Sequence, residues 1–334
     1  MNALWPCPAM RNAELSGRTT LNVGGRAAWL LEPSNPEELV DAWCAAREEG
    51  FHPRLLGGGA NLLIPDGTLP GVVITTARMA RLFRPDRLEE TRWEDALDAD
   101  EAGDATNGHA PVEVERPELV AWAGMPMPGI VRASRELGWS GLEGLAGVPG
   151  HIGGGVAMNA GGRWGELWDV VERVRVLGPD GTVEERPRGD CQPGYRDGNL
   201  GGAIVLGVHL VLQQEDRAVV KERIRAFMTE KNAVQPVTER SCGCIFKNPD
   251  PELSEGRSAG RLIEDCGGKS LARGAARVSE KHANFIVNGG GARAADVGAL
   301  IEDVRRLVRD RSGVELAVEV KRWDPVEADG TPAT

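Results

Sequence analysis

Apolar residues recur along this chain with two alternating periods: every second residue, as on a half-buried strand, and every third or fourth, as on a helix face. The helical period runs from Pro36 to Gly50, with Leu39, Val40, Trp43 and Cys44 expected inward, so that Cys44 reads as core. Ser34 or Asn35 can cap this helix, Pro36 suits its first turn, Glu37 and Glu38 its positive end, and Gly50 its stop. The period returns over 128–138 (Ile130, Val131, Ser134, Leu137), 217–232 (Val220, Ile224, Phe227, Met228), 258–268 (Ala259, Leu262, Ile263, Cys266) and 294–311 (Val297, Leu300, Ile301, Val304, Leu307, Val308). Between these helices lie predicted strands: one after the Gly24-Gly25 turn, two flanking Gly57-Gly58-Gly59, and others over 72–75 and 119–123. Residues 171–186 read as a hairpin turning at Pro179-Asp180-Gly181. The run AIVLGVHLVLQ alternates, HANFIVN is a strand after a turn, and VELAVEV places Glu315 and Glu319 on the last ordered element.

One long stretch follows neither period. Between Arg81 and Glu118 there are twelve acidic residues against five arginines, which reads as an acidic surface excursion inserted between two strands. The tail from Asp324 is expected to be loose. At 334 residues the chain exceeds one ordinary core, so two or three domains are expected. A net charge of −11 argues against a general nucleic-acid or anionic-membrane binder, although a local basic pocket for phosphates stays compatible with it. The six cysteines form no compact framework, which indicates free thiols in a reducing compartment. No leader pattern and no run approaching the ~20 apolar residues of a membrane span is present, so a soluble cytoplasmic protein is expected.

Candidate chemistry gathers in four places. Ser241-Cys242-Gly243-Cys244-Ile245-Phe246-Lys247-Asn248-Pro249 packs thiol, cation and amide together. Period two puts Cys244 and Phe246 on one face and Ile245 and Lys247 on the other, with Gly243 allowing close approach to Cys244. As metal ligands Cys242 and Cys244 have the wrong spacing and no answering Cys or His pair, so no metal is expected. A chemical thiol and a plain half-buried strand both fit. Gly57-Gly58-Gly59 can turn successive N–H groups toward one anion, although a plain tight turn is the commoner explanation of a triple glycine; it is neither a Walker loop nor a Rossmann turn. GLEGLAGVPGHIGGGVAMNAGGRWGEL, from Gly141 to Leu167, is too rich in glycine for a helix and suits backbone wrapped around a flat or charged ligand. In Gly194-Tyr195-Arg196-Asp197 the competing reading is a surface Arg–Asp pair.

In order, LNVGG, LGGGANLL, GLEGLAGVPGHIGGGVAMNAGG, GYRD, GCIFKNP, AGRLIEDCGGK, HANFIVN and LAVEV resemble the UDP-N-acetylenolpyruvoylglucosamine reductase family over about residues 17–323. The short path from Leu212 to Gln235 resembles its shorter, type II branch, with Lys231 where arginine is usual. The resemblance implies an α+β fold: a two-part FAD-binding domain of the vanillyl-alcohol-oxidase (PCMH) type and a C-terminal α+β substrate-binding domain. The implied order is a first FAD subdomain over 1–80, rejoined by a strand over 314–323, then the acidic insertion over 81–118. A second FAD subdomain over 119–215, a substrate-binding domain over 216–313 and a tail over 324–334 follow. It implies FAD bound without a covalent link, NADPH as reductant, UDP-N-acetylglucosamine enolpyruvate as substrate, and a monomer.

Carried over, the resemblance assigns the FAD diphosphate to Gly57, Gly58, Gly59, Ala60, Asn61 and Leu62. It assigns the flavin to Gly147, Val148, Pro149, Gly153, Gly154, Asn159 and Ala160, and catalysis to Arg196, Cys244 and Glu319. Tyr195, Lys231, Lys247 and Asn248 are the substrate candidates, and His151 reads as a loop residue. The implied reaction moves hydride from NADPH through flavin N5 to the vinyl terminus of the substrate, with Arg196 meeting the developing charge and Cys244 protonating the adjacent carbon. Cys244 departs from the usual serine; an unperturbed thiol, at about 8.5, is a stronger acid than a hydroxyl. Ala60 also replaces a usual serine, and Asn22 a usual larger residue. Two rival readings are another FAD-dependent oxidase or dehydrogenase of the same superfamily and an inactive UDP-sugar-binding flavoprotein.

Overall fold

The computed structural model describes residues 5–84 and 116–323. Most of the expected acidic insertion, and the tail over 324–334, lie outside the described residues. The chain forms two units: residues 1–9, 31–58 and 74–230 make the first, and residues 10–30, 59–73 and 231–334 the second. These boundaries differ from the expected ones, since 10–30 and 59–73 group with the C-terminal part.

The first unit is built on a five-stranded antiparallel sheet in the order Val183–Pro187, Val171–Leu177, Ile204–Val211, Glu118–Trp122, Leu82–Phe83. The hairpin turns where expected: Asp180 accepts from the Thr182 N–H (3.1 Å) and hydroxyl (2.7 Å). Ile204–Val211 does not alternate; it is buried almost throughout, because it is central and helices Pro36–Glu48 and Ile152–Ala157 lie against it. Burial there draws in His209, whose Nε2 lies 3.1 Å from the Glu118 carboxylate and whose pKa burial lowers. Helix Pro36–Glu48 starts as read, with Asn35 Oδ1 accepting from the Glu38 N–H at 2.9 Å. Its buried face is instead Leu39, Ala42 and Ala46, and Cys44 is only half-buried. The small alanines admit closer packing than the expected Trp43 stripe.

The second unit carries a four-stranded antiparallel sheet in the order Ser241–Cys244, Phe285–Asn288, Ala276–Val278, Ala272–Arg273. Its core joins Leu262 and Ile263 of helix Ala259–Asp265 to Val297, Leu300, Ile301 and Val304 of helix Ala294–Ser312. Each such side chain, fully buried, is worth about 1.5–3 kcal/mol. Asp66 accepts from the Ala294 and Ala295 N–H groups at 2.9 Å, and Gly313 ends the longer helix in the left-handed region.

VELAVEV is not a strand. Its backbone is shared residue by residue: Ala317 O accepts from Lys247 N–H, Glu319 N–H donates to Ile245 O, and Val318 bridges to Phe246. Pairing resumes at Lys321–Arg322, parallel to Leu62–Leu63. Among the described residues no helix is long and apolar enough to cross a membrane.

Candidate active site

Gly58 and Gly59 explain why the loop after Leu56 must be glycine. A Cβ on Gly58 would stand 2.6 Å from Gly150 Cα and 2.8 Å from His151 N. On Gly59, which has φ +59, it would stand 2.3 Å from Arg18 O. At Gly57 a Cβ would meet nothing within 4 Å, so that position opens outward. Asn61 donates from Nδ2 to Glu319 O at 3.4 Å, and its own carbonyl accepts from Lys321 N–H at 3.1 Å. Asn22 holds φ +54, a conformation asparagine tolerates, and its carbonyl accepts from Asn288 Nδ2 at 3.3 Å.

The long glycine stretch divides its glycines by direction. Gly153 packs inward, where a Cβ would be 2.8 Å from the Ala123 Cβ, whereas Gly154 faces open space. Gly147 and Pro149 are exposed, and Val148 and Ala160 are half-buried. Asn159 spends its amide inside the protein: Nδ2 donates to Glu166 (2.8 Å) and Gly194 O (3.1 Å), while Oδ1 accepts from Trp168 N–H (3.3 Å). Its side chain therefore positions neighbours, leaving only its backbone to line a ligand.

That bond to Gly194 anchors the turn carrying Arg196. Gly194 and Asp197 exchange backbone hydrogen bonds of 2.8 and 3.2 Å, and Arg196 between them holds φ +56, a costly conformation for a long side chain. Arg196 Nη1 donates to Gly161 O at 2.8 Å, and Gly198 N–H donates to Ala157 O at 3.0 Å. The turn is thus tied to the glycine stretch at three points. Tyr195 is 52% exposed, with the guanidinium 5.5 Å from its ring centre.

In the second unit Cys244 stands at a bulge. Ser241 pairs with Val287 and Cys244 with Phe285, so Cys242 and Gly243 together oppose Ile286, and Gly243 has φ +81. The extra residue cancels the period-two reading: Cys242, Ile245 and Phe246 enter the core, while Cys244 and Lys247 stay half-buried. Burial pushes the Cys242 thiol up to about 12, which leaves it an inert core residue. Beyond the bulge, Asn284 clamps Phe246: Oδ1 accepts from Phe246 N–H (3.0 Å) and Nδ2 donates to Phe246 O (2.8 Å), all buried. Ile245 N–H donates to Asn284 O (2.9 Å), and Ile245 O accepts from Glu319 N–H (2.7 Å). The segments carrying Cys244 and Glu319 are therefore joined through Ile245.

Glu319 is buried. Lys231 is also buried, and burial lowers its pKa from 10.5 to about 8. Asn248 is partly committed, since its Oδ1 accepts from Ala259 N–H at 3.1 Å. Arg196 and Tyr195 belong to the first unit; Cys244, Glu319, Lys231, Lys247 and Asn248 belong to the second. Sequence reading missed the amide work of Asn159 and Asn284; the only signal was their place inside NAGG and HANF.

Comparison with known proteins gives a match in each part of the chain. Residues 235–323 match the UDP-N-acetylenolpyruvoylglucosamine reductase C-terminal domain, and residues 104–186 match an FAD binding domain. A UDP-N-acetylenolpyruvoylglucosamine reductase from Deinococcus radiodurans is 38% identical over 316 residues, covering 92% of this chain and 94% of that one. This chain belongs to the UDP-N-acetylenolpyruvoylglucosamine reductase family. Its relative from Acaryochloris marina is 34% identical over 94% of this chain and 92% of that protein. The crystal structure of the reductase from Thermus caldophilus superposes with a TM-score of 0.70 at 33% identity, covering 95% of this chain and 98% of that one. As a member of this family the chain is an FAD-dependent oxidoreductase, with a vanillyl-alcohol-oxidase-type FAD domain followed by a C-terminal α+β domain. The residues fit that cofactor: Gly58 and Gly59 let the loop pack directly on neighbouring backbone, while Gly57 and Gly154 leave open surface where a ligand can approach the main chain.

Proposed function

We propose that this chain uses NADPH to reduce the enolpyruvyl group of UDP-N-acetylglucosamine enolpyruvate to UDP-N-acetylmuramate, a peptidoglycan precursor, acting in the cytoplasm as a monomer. The observation that carries this reading is the hydrogen bond from Glu319 N–H to Ile245 O, which joins the carboxylate-bearing segment to the residue following the Cys244 thiol. Gly57, Gly58, Gly59, Ala60, Asn61 and Leu62 hold the diphosphate of a non-covalently bound FAD. Gly147, Val148, Pro149, Gly153, Gly154, the Asn159 backbone and Ala160 line its ring. When bound, FAD relays hydride from NADPH to the vinyl terminus of the substrate.

Arg196 meets the negative charge that develops beside the substrate carboxylate. It is suited to this because its planar guanidinium offers several donors and its αL backbone is fixed before substrate arrives. Cys244 Sγ–H gives its proton to the same carbon, completing the reduction, and the thiolate regains a proton from solvent. Glu319 assists at that carbon. Lys231 and Lys247 hold the UDP phosphates, with Tyr195 and Asn248 against the sugar nucleotide.

The test is anaerobic. Protein reduced by NADPH is given UDP-N-acetylglucosamine enolpyruvate while flavin absorbance is followed. Prompt return of the oxidised spectrum with UDP-N-acetylmuramate formed is expected. Flavin that stays reduced until oxygen enters would refute the reading and favour an oxidase.

A further inference from the structure

We propose that His151 is a cofactor-binding residue, a neutral imidazole whose Nε2–H donates to a diphosphate oxygen of FAD while the Thr76 hydroxyl holds the ring through Nδ1. The inference rests on the reading of Gly57–Leu62 as the diphosphate cradle, and no comparison assigns His151 a role.

Its backbone is fixed on both sides. His151 bridges to Pro126, Met127 N–H donates to Gly150 O (2.9 Å), and Ile152 N–H donates to Met125 O (2.9 Å). The cradle loop lies directly on this peptide, since a Cβ on Gly58 would stand 2.8 Å from His151 N. The side chain reaches Thr76, with Nδ1 3.0 Å from Oγ1. Thr76 in turn is paired to the residue leading into the cradle, its N–H donating to Leu56 O at 3.1 Å. The imidazole is therefore placed beside the start of the glycine loop by contacts within one unit.

Hydrogen-bond accounting fixes the tautomer. The Thr76 hydroxyl is buried, and among the described residues its one partner is His151 Nδ1. A buried hydroxyl proton needs an acceptor, so the lone pair of Nδ1 accepts it and the ring proton sits on Nε2. Burial lowers the His151 pKa, which keeps the ring neutral near pH 7. Nε2–H then has no protein acceptor among the described residues, and it belongs to a residue whose backbone N lies against the glycine loop. A neutral N–H suits a diphosphate because its donor is aimed by Thr76.

The full chain, stripped of FAD, is titrated with FAD and separately with ADP, which carries the diphosphate without the flavin. His151→Ala is expected to weaken both about 10- to 100-fold, the effect of one hydrogen bond to a charged group. His151→Gln, whose amide nitrogen reaches about where Nε2 does, should restore most of the loss, and Thr76→Val should fall between. The imidazole 15N spectrum of the wild-type apoprotein should show the Nε2–H tautomer and should move when ADP is added. Unchanged ADP binding by folded His151→Ala overturns the inference, as does loss confined to FAD or an Nδ1–H tautomer. If His151→Ala does not fold, the wild-type spectrum decides. Gly57→Ala separates the two readings, because its Cβ meets no protein atom within 4 Å yet would enter the cradle. Weak ADP binding by Gly57→Ala with normal binding by His151→Ala overturns the histidine alone; normal binding by both overturns the cradle.

Discussion

The turn carrying Arg196 and the segment carrying Cys244 fix a proposed catalytic side chain in opposite ways. The first is a loop held on another loop: a strained αL residue is locked by three hydrogen bonds to a glycine stretch, one of them from the buried amide of Asn159. The second is a strand end held by a hydrophobic core, where a bulge at Cys242–Gly243 sends one cysteine inward and leaves its neighbour half-buried. Glycine serves both, by permitting close approach in the first and by supplying positive φ in the second. Local hydrogen bonds govern the first; the fold of the unit governs the second. Substitutions should therefore separate activity from stability in one region and couple them in the other.

The largest effect is expected at Cys244, which stays half-buried at the end of its strand. Cys244→Ala should slow oxidation of reduced flavin by substrate about 10²- to 10⁴-fold, the usual worth of a general acid. Cys244→Ser should keep measurable activity. Stopped-flow absorbance decides; a near wild-type rate for the alanine variant would exclude Cys244 as the proton donor. Next comes Asn284. Asn284→Ala leaves two buried backbone groups of Phe246 without their partners, at about 1–3 kcal/mol each. Thermal or urea unfolding should show a loss of roughly 2–5 kcal/mol, with activity falling alongside it. Full stability would show that the clamp is dispensable and blunt the contrast between regions.

Asn159→Ala should act more gently and in the other mode. It frees Gly194 and leaves an alanine at φ +42, for a cost of about 1–3 kcal/mol. Steady-state kinetics should show the turnover number falling about tenfold or more while FAD stays bound. A variant that loses FAD first would place Asn159 in the cofactor site proper.

How much of this was legible follows the same division. Helix Ala294–Ser312 and the hairpin at Asp180 declare themselves through apolar spacing and turn residues, which are local properties. The motif order located GYRD and GCIFKNP. The bulge was invisible because pattern reading assumes that every residue advances the strand by one, and Gly243 breaks that count. VELAVEV alternates like a strand, yet its neighbours offer backbone partners one at a time, and only tertiary structure reveals that. Asn159 and Asn284 stayed hidden because an amide inside a motif resembles a ligand contact until its partners are known. The pairing of His151 with Thr76 was hidden too, because Thr76 stands 75 positions earlier in the chain.

The smallest effect concerns a buried cation. Burial has brought Lys231 down to about 8. If Lys231 holds a substrate phosphate as its ammonium, that contact is complete below pH 8 and lost above it. KM for the UDP-sugar should then rise, approaching tenfold per unit of pH, with the turnover number steady. Stability runs the other way. In the unfolded chain this lysine titrates near its ordinary value of about 10.4, so between pH 8 and 10.4 the unfolded state binds more protons. The burial penalty on the charged form is fully present below pH 8 and is relieved as pH rises through that window, so this group makes the fold more stable there. Lys231→Arg, which keeps the charge without the lowered pKa, should flatten the KM profile between pH 7.5 and 9.5 and remove the gain in stability. A wild-type KM that stays level across that range would detach Lys231 from the phosphates and leave Lys247 as the cation of the second unit to test.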